Sequence, residues 1–309
     1  MSGDSHQTYS VTASFSAKNG ELTDKASNST VAPSGDLRSR PTMTELEACI
    51  TGYRPTAEHN DSLWTSFGQK TDTVSFLKAH RDWVEENSWG FGDRAFHYMW
   101  YVLLRDDTLK RPFPRLLEIG VYKGQVISLW ALIAERMGRA VEITGVSPFK
   151  GGKPRFADNR VLHRCAQLVS RRYRQDVRSA NLYEEVGYRA AVRRIFDEFG
   201  LPSARMDLLT GYSQDDSVRK QVAGRSFDLI YIDGGHRYEE VAQDLDFYAA
   251  RVAPGGYLVV DDASCDLPGT AFWKGHESVS RAVADWGAHG FVNVLNIGHD
   301  RLYRRNPFQ

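Results

Sequence analysis

The chain has only three cysteines in 309 residues, and Cys49, Cys165 and Cys265 share none of the short spacings of a thiolate metal site. That excludes a zinc ribbon and a disulfide framework. The odd count leaves at least one thiol unpaired, so all three read as reduced thiols of a cytoplasmic protein, none of them a nucleophile. Net charge of one sign is also missing, because 39 Lys plus Arg balance 39 Asp plus Glu. Nucleic acid is therefore not an expected partner. No long apolar run occurs: the most apolar stretch, Leu116 to Ala134, is interrupted by Glu118, Lys123 and Gln125. Together with the absence of a charged start followed by an apolar core, this predicts a soluble chain with no membrane partner. No internal repeat is visible.

With 41% hydrophobic and 25% charged residues, the chain is ordinary globular material, long enough for one large domain and an extension. Residues 1–42 are rich in Ser, Thr, Asn, Gly and Asp and carry few large apolar side chains, so they predict a disordered tail. Residues 43–111 turn helical and aromatic, with Trp64, Phe76, Trp83, Trp89, Phe91, Phe96, Tyr98, Trp100 and Tyr101. Such a segment needs a surface to pack on: the main domain, a second copy in a homo-oligomer, or a bound substrate.

From residue 112 to 309 strands and helices alternate, which predicts an α/β domain with a Rossmann-like, doubly wound, mostly parallel sheet. Arg115–Ile119, Val141–Val146, Arg205–Thr210, Phe227–Ile232 and Tyr257–Val260 read as strands. Gln125–Met137 reads as the first helix, residues 150–199 as a long basic and mostly helical stretch, and Ser278–Trp286 as a late helix. Tyr238, Val241, Ala242, Leu245, Tyr248 and Ala249 mark one apolar helix face that ends near Pro254-Gly255-Gly256. Phe291–Ile297 and Leu302–Arg304 read as a closing antiparallel pair.

Two constellations carry chemistry. Glu118-x-Gly120-x-x-x-Gly124 sits between an apolar strand and a helix, where glycines permit a tight turn and close approach to a ligand. Its spacing differs from the G-x-G-x-x-G of dinucleotide binders, so a ligand without phosphates fits better, and Glu118 favours a cationic one bearing an ammonium and a sulfonium. A plain strand-to-helix turn explains the same residues. Asp233, at the end of one strand, and Asp261 and Asp262, at the end of another, should emerge at one carboxyl edge of the sheet. Crowded carboxylates repel, and a hard divalent cation relieves this: Mg²⁺, with Mn²⁺ or Ca²⁺ as substitutes. Helix capping is the other reading; it accounts for Asp233 or Asp262 singly but poorly for their convergence. His236, three residues past Asp233, is then placed to take a proton from a hydroxyl. His276 lies on a loop near the same edge and reads either as a substrate contact or as a solvated helix start, while His163 and His299 show no such company.

The segments Glu118–Gly124, Phe227–His236 and Pro254–Asp262 resemble class I S-adenosylmethionine-dependent methyltransferases. They are most similar to the metal-dependent macrocin- and mycinamicin-type sugar O-methyltransferases, with catechol O-methyltransferases as more distant relatives. The resemblance covers about residues 112–305 and implies a seven-stranded fold, S-adenosyl-L-methionine as cofactor, and O-methylation of a hydroxylated small molecule of secondary metabolism, such as a glycosylated one. It assigns Mg²⁺ to Asp233, Asp261 and Asp262, the base to His236, and cofactor contacts to Glu118, Gly120, Tyr122, Gly124 and Asp233. One departure stands out: the family usually carries an acidic ribose partner after the second strand, where this chain has Ser147, a weaker neutral contact. Ser213 and Gln214, in Gly211-Tyr212-Ser213-Gln214-Asp215, fall where such proteins contact adenosine. Ser147 and the aromatic extension also leave room for a non-catalytic binding protein on this fold, and a cephamycin-pathway hydroxylase-like relative shares the same core.

Overall fold

The computed structural model describes residues 43–150, 159–170, 173 and 187–308. The expected tail over 1–42 lies outside the described residues, as does the remainder of the helical reading over 150–199. Apolar runs buried on both faces form the middle of a seven-stranded sheet: β1 (Arg115–Ile119), β4 (Phe227–Ile232) and β5 (Val252–Val260). With β2 (Glu142–Ser147), β3 (Met206–Thr210), β6 (Phe291–Ile297) and β7 (Asp300–Arg305), the order is β3-β2-β1-β4-β5-β7-β6. The first five strands are parallel and β7 runs antiparallel to both β5 and β6. The strand order reverses between β1 and β4, the place where a doubly wound sheet opens a crevice at its carboxyl edge.

Strand β5 begins at Val252, five residues before the apolar run that predicts it. Pro254-Gly255-Gly256 belongs to the strand, and the register against β4 jumps between Phe227 and Leu229, so the breaker is accommodated as a bulge rather than as a loop. The helix before it stops at Tyr248 and passes through one 3₁₀ turn, Ala249–Arg251.

Four helices precede the sheet: α1 (Glu45–Gly52), α2 (Ala57–Thr73), α3 (Ser75–Glu86) and α4 (Arg94–Asp106). Thr44 and Glu47 close a capping box on α1, and Thr56 caps α2 through the His59 N–H. Helix α4 is buried from Ala95 to Trp100 and again from Val102 to Leu104, the pattern of a helix enclosed on nearly all sides. It packs between α2 and α5 (Gln125–Arg136). Trp100 meets Trp130 and Tyr231 edge-on, with ring centroids 5.2 and 5.0 Å away. The aromatic excess of residues 43–111 thus finds its packing surface on one face of the sheet, in a core shared with α5 and α7 (Tyr188–Glu198). The opposite face carries α8 (Asp216–Val222), α9 (Tyr238–Tyr248) and α10 (Glu277–Trp286). Helix α6 (Arg160–Val169) buries no residue. Cys49, Cys165 and Cys265 are free thiols, and no helix among the described residues is long and apolar enough to cross a membrane.

Candidate active site

The parallel ladder continues past the strand ends and sets the site. Gly120 N donates to Val146 O, Asp233 N to Ile119 O and Asp261 N to Ile232 O, at 2.8–3.0 Å. Asp233 and Asp261 therefore leave neighbouring strands at one edge. Gly120 has φ +103°, and a Cβ there would lie 1.7 Å from the Asp233 carbonyl oxygen, so only glycine permits this approach. Asp262 adopts a left-handed conformation, φ +55°, which turns the chain directly after β5. Gly275 packs against its carbonyl, and His276 N donates to that carbonyl at 2.9 Å, tying the Trp273–His276 loop to the strand end.

Two cavities meet here. The first, about 460 Å³, is lined by Glu118, Asp233, Asp261, Asp262, His236, His276, His299 and aromatic residues of the N-terminal helices and of the 273 loop. The second, about 600 Å³, is lined by Ser147, Pro148, Tyr212, Ser213, Gln214, Gly234, Gly235 and Glu240. Gly120, Tyr122 and Asp233 belong to both walls. Gly124 lines neither described cavity; with φ +91° it starts α5.

Carboxyls and imidazoles dominate the first cavity. His236 Nε2 lies 3.2 Å from Asp262 Oδ2, and the His276 ring stacks on His236 at 4.4 Å with its Nε2 3.6 Å from the same oxygen. His299 Nε2 stands 3.3 Å from Asp261 Oδ1 and 3.7 Å from Asp262 Oδ1. Within 4.8 Å two donor sets converge, Asp261–Asp262–His299 and His236–Asp262–His276. Burial and the neighbouring Asp261 charge push the Asp233 carboxyl well up and Asp262 to about 9. Burial also acts on Asp261, but His299 and protons shared from Asp300 and Asp233 hold it below its usual value.

Sequence patterning leaves His299 isolated, and the structure corrects this. Strand β7 pairs with β5 so that Val260 faces Arg301, which brings the Gly298-His299-Asp300 turn beside Asp261. Asp300 is fully buried, and among the described residues its carboxyl meets only the Asp261 carboxyl, with which it shares a proton, while Asp261 Oδ1 faces His299 Nε2 at 3.3 Å. Crowded buried carboxyls of this kind need a shared proton or a cation, and the Asp261–Asp262–His299 donor set fits a divalent ion. The missed signal lay in the antiparallel register, which apolar patterning alone does not specify.

In the second cavity Ser147 is buried, its Oγ 3.5 Å from the Phe149 N–H. Ser213 Oγ and Gln214 Nε2 each donate to Asp244 at 2.9 Å. The motifs do not single out Asp244, although it interrupts the apolar face of α9 between Val241 and Tyr248. Glu240 lines the same cavity, and its Oε2 has no hydrogen-bond partner among the described residues.

Residues 117–263 match the family model described as a methyltransferase domain. The uncharacterized protein R132 of Acanthamoeba polyphaga mimivirus is 30% identical over 192 residues, which span 61% of this chain and 67% of that protein. Among solved structures, the O-methyltransferase TomG from Streptomyces achromogenes, of tomaymycin synthesis, is similar with a TM-score of 0.45 and 12% identity over 80% of this chain and 98% of its own. The O-methyltransferase NovP gives 0.43 and 19% over 67% and 77%.

Proposed function

We propose, from the premise that this chain belongs to the methyltransferases and carries their domain at residues 117–263, that it transfers the methyl group of S-adenosylmethionine to a hydroxyl of a small molecule. The observation that carries the reading is the pair of cavities joined at Gly120, Tyr122 and Asp233. A donor lying across that shared wall would place its nucleoside against Ser147, Ser213 and Gln214 and direct its sulfonium toward the carboxyl-lined chamber. Ser147 offers the ribose only a neutral contact, and Glu240, one of the carboxylates lining this cavity with Asp215 and Asp233, is able to take up the ribose hydroxyls.

In the acceptor chamber, Asp233, Asp261 and Asp262 would hold a divalent cation such as Mg²⁺, with His299 and Asp300 behind Asp261. When bound, that ion supplies a Lewis acid that lowers the pKa of a substrate hydroxyl. His236 faces the same space, and its contact with Asp262 and stacking on His276 hold the ring at the chamber wall. Its role is to accept the hydroxyl proton as the oxygen attacks the methyl carbon. Phe91 and Trp273 are exposed at the chamber, and Phe96 and Trp100 floor it, an apolar enclosure suited to a ring-bearing acceptor such as a glycosylated natural product. The sulfonium is already activated, so the protein contributes position and charge control.

Calorimetric titration with S-adenosylmethionine, with Mg²⁺ or with EDTA, tests the reading; absence of heat in both conditions refutes it. His236→Ala should lower kcat by about 10²–10⁴-fold with donor affinity unchanged. Equal loss of both would remove His236 as the base.

A further inference from the structure

Asp262 stands between two groups of side chains, one at each of its oxygens. Its Oδ1 lies 3.7 Å from His299 Nε2, on the side of Asp261 and the turn into β7. Its Oδ2 lies 3.2 Å from His236 Nε2 and 3.6 Å from His276 Nε2. A carboxylate has about four lone-pair directions over its two oxygens, enough to serve both groups at once.

Both imidazoles at Oδ2 are fixed from the backbone. The His236 carbonyl accepts from Ser278 Oγ at 2.5 Å, which ties the start of α9 to the first turn of α10. His276 caps α10 and donates its N–H to the Asp262 carbonyl. The two rings stack at 4.4 Å and 23°, and Trp273 meets the His276 ring edge-on at 5.3 Å. Two nitrogens and one oxygen are thereby held within 4.8 Å of one another.

An imidazole nitrogen this close to a carboxylate oxygen keeps either a hydrogen or a cation between them. Two nitrogens and one oxygen suit Mg²⁺ poorly, because it takes oxygen ligands and keeps its waters. They suit the borderline divalent ions, such as Zn²⁺ and Co²⁺. All three residues line the acceptor chamber, so three protein donors leave a coordination position open to it, as in an accessible zinc site rather than a closed structural one.

We propose that His236, Asp262 and His276 form a second cation site, selective for Zn²⁺ or a similar transition ion, which shares Asp262 with the carboxylates assigned to Mg²⁺. A nitrogen that ligates an ion has no lone pair left for a proton. On the reading of His236 as proton acceptor, an ion at this site therefore silences the reaction, so that Zn²⁺ inhibits where Mg²⁺ supports turnover. The inhibition rests on that reading; the site itself does not.

Co²⁺ is the probe, since its visible absorption reports nitrogen ligation. The wild-type protein held in millimolar Mg²⁺ should bind one Co²⁺ per chain, and Zn²⁺ should displace it. His276→Phe, which keeps a stacked ring but not the donor, should weaken Co²⁺ about tenfold or more and leave the rise of Tm with Mg²⁺ intact. Asp261→Asn should do the reverse. Co²⁺ that competes with Mg²⁺, that is lost with Asp261→Asn but not with His276→Phe, or that fails to bind at micromolar concentration overturns the second site. In ¹⁵N spectra with Zn²⁺, Nε2 of His236 and of His276 should shift together; a shift confined to His299 overturns it as well. Failure of S-adenosylmethionine to bind would remove the methyl-transfer reading and with it the inhibition, and the metal measurements would still decide the site.

Discussion

Asp244 gives a quantitative handle on how the nucleoside-sized cavity is held. It is 1% exposed on the inner side of α9 and accepts from Ser213 Oγ and Gln214 Nε2. Burial pushes its carboxyl from 3.8 up to about 7, against the downward pull of those two bonds and of Arg219. The folded state therefore holds the Asp244 proton more tightly than the unfolded chain does. Below about pH 4 both states are protonated; as pH rises toward 7 the unfolded state alone releases the proton, and folding stability falls. Between pH 5 and pH 8 the group crosses about two pH units below its folded pKa, worth roughly 2–3 kcal/mol at about 1.4 kcal/mol per unit. Asp244→Asn preserves the shape, can accept from Ser213 and can pair with a rotated Gln214 amide, but does not titrate. In urea unfolding at both pH values, the Asp244→Asn variant should gain about 2–3 kcal/mol relative to wild type on going from pH 5 to pH 8. Identical pH slopes for the two proteins would refute the buried-carboxyl account of this wall.

A divalent cation at a hundred times its dissociation constant should stabilise the native state by about 2.7 kcal/mol and raise Tm by about 5–10 °C. Asp261→Asn should remove most of that rise, and a Tm indifferent to millimolar Mg²⁺ and Mn²⁺ would take the carboxylates out of the role of ion site. Gly120→Ala forces a Cβ onto the Asp233 carbonyl at φ +103°, so β1 and β4 must part where the two cavities meet. It should cost about 3 kcal/mol or more in urea unfolding and abolish donor binding in calorimetry, and retention of wild-type donor affinity would contradict the shared-wall geometry. Trp100→Ala should destabilise by about 3–5 kcal/mol, because the ring fills the space between Trp130 and Tyr231. A loss under about 1 kcal/mol would show that the N-terminal helices are not part of one core with the sheet.

The parts of this molecule legible in the sequence are those whose position follows from a local period. β1 and β4 end where the apolar runs end, so Glu118 and Asp233 can be placed at a carboxyl edge from patterning alone. The same logic places Asp261 and Asp262, because a parallel crossover returns each strand in one direction and brings their ends to one side. What escapes is set by pairing across distance. Asp300 and His299 reach Asp261 only because β7 runs backward against β5 in one register, and slipping that register by one residue would turn both side chains away. His97 and His80 escape for a related reason: on their own helices they read as polar interruptions, and they acquire meaning only when α3, α4 and α5 pack and align Ser128, His80 and His97 in a row. Asp244 is the intermediate case, since a carboxylate at an apolar helical position announces burial while its partners, Ser213 and Gln214, sit on a loop about thirty residues away. Long-range register thus supplies the polar shell around a site whose axis is already written in short motifs. That shell decides which groups surround Asp261 at the end of β5.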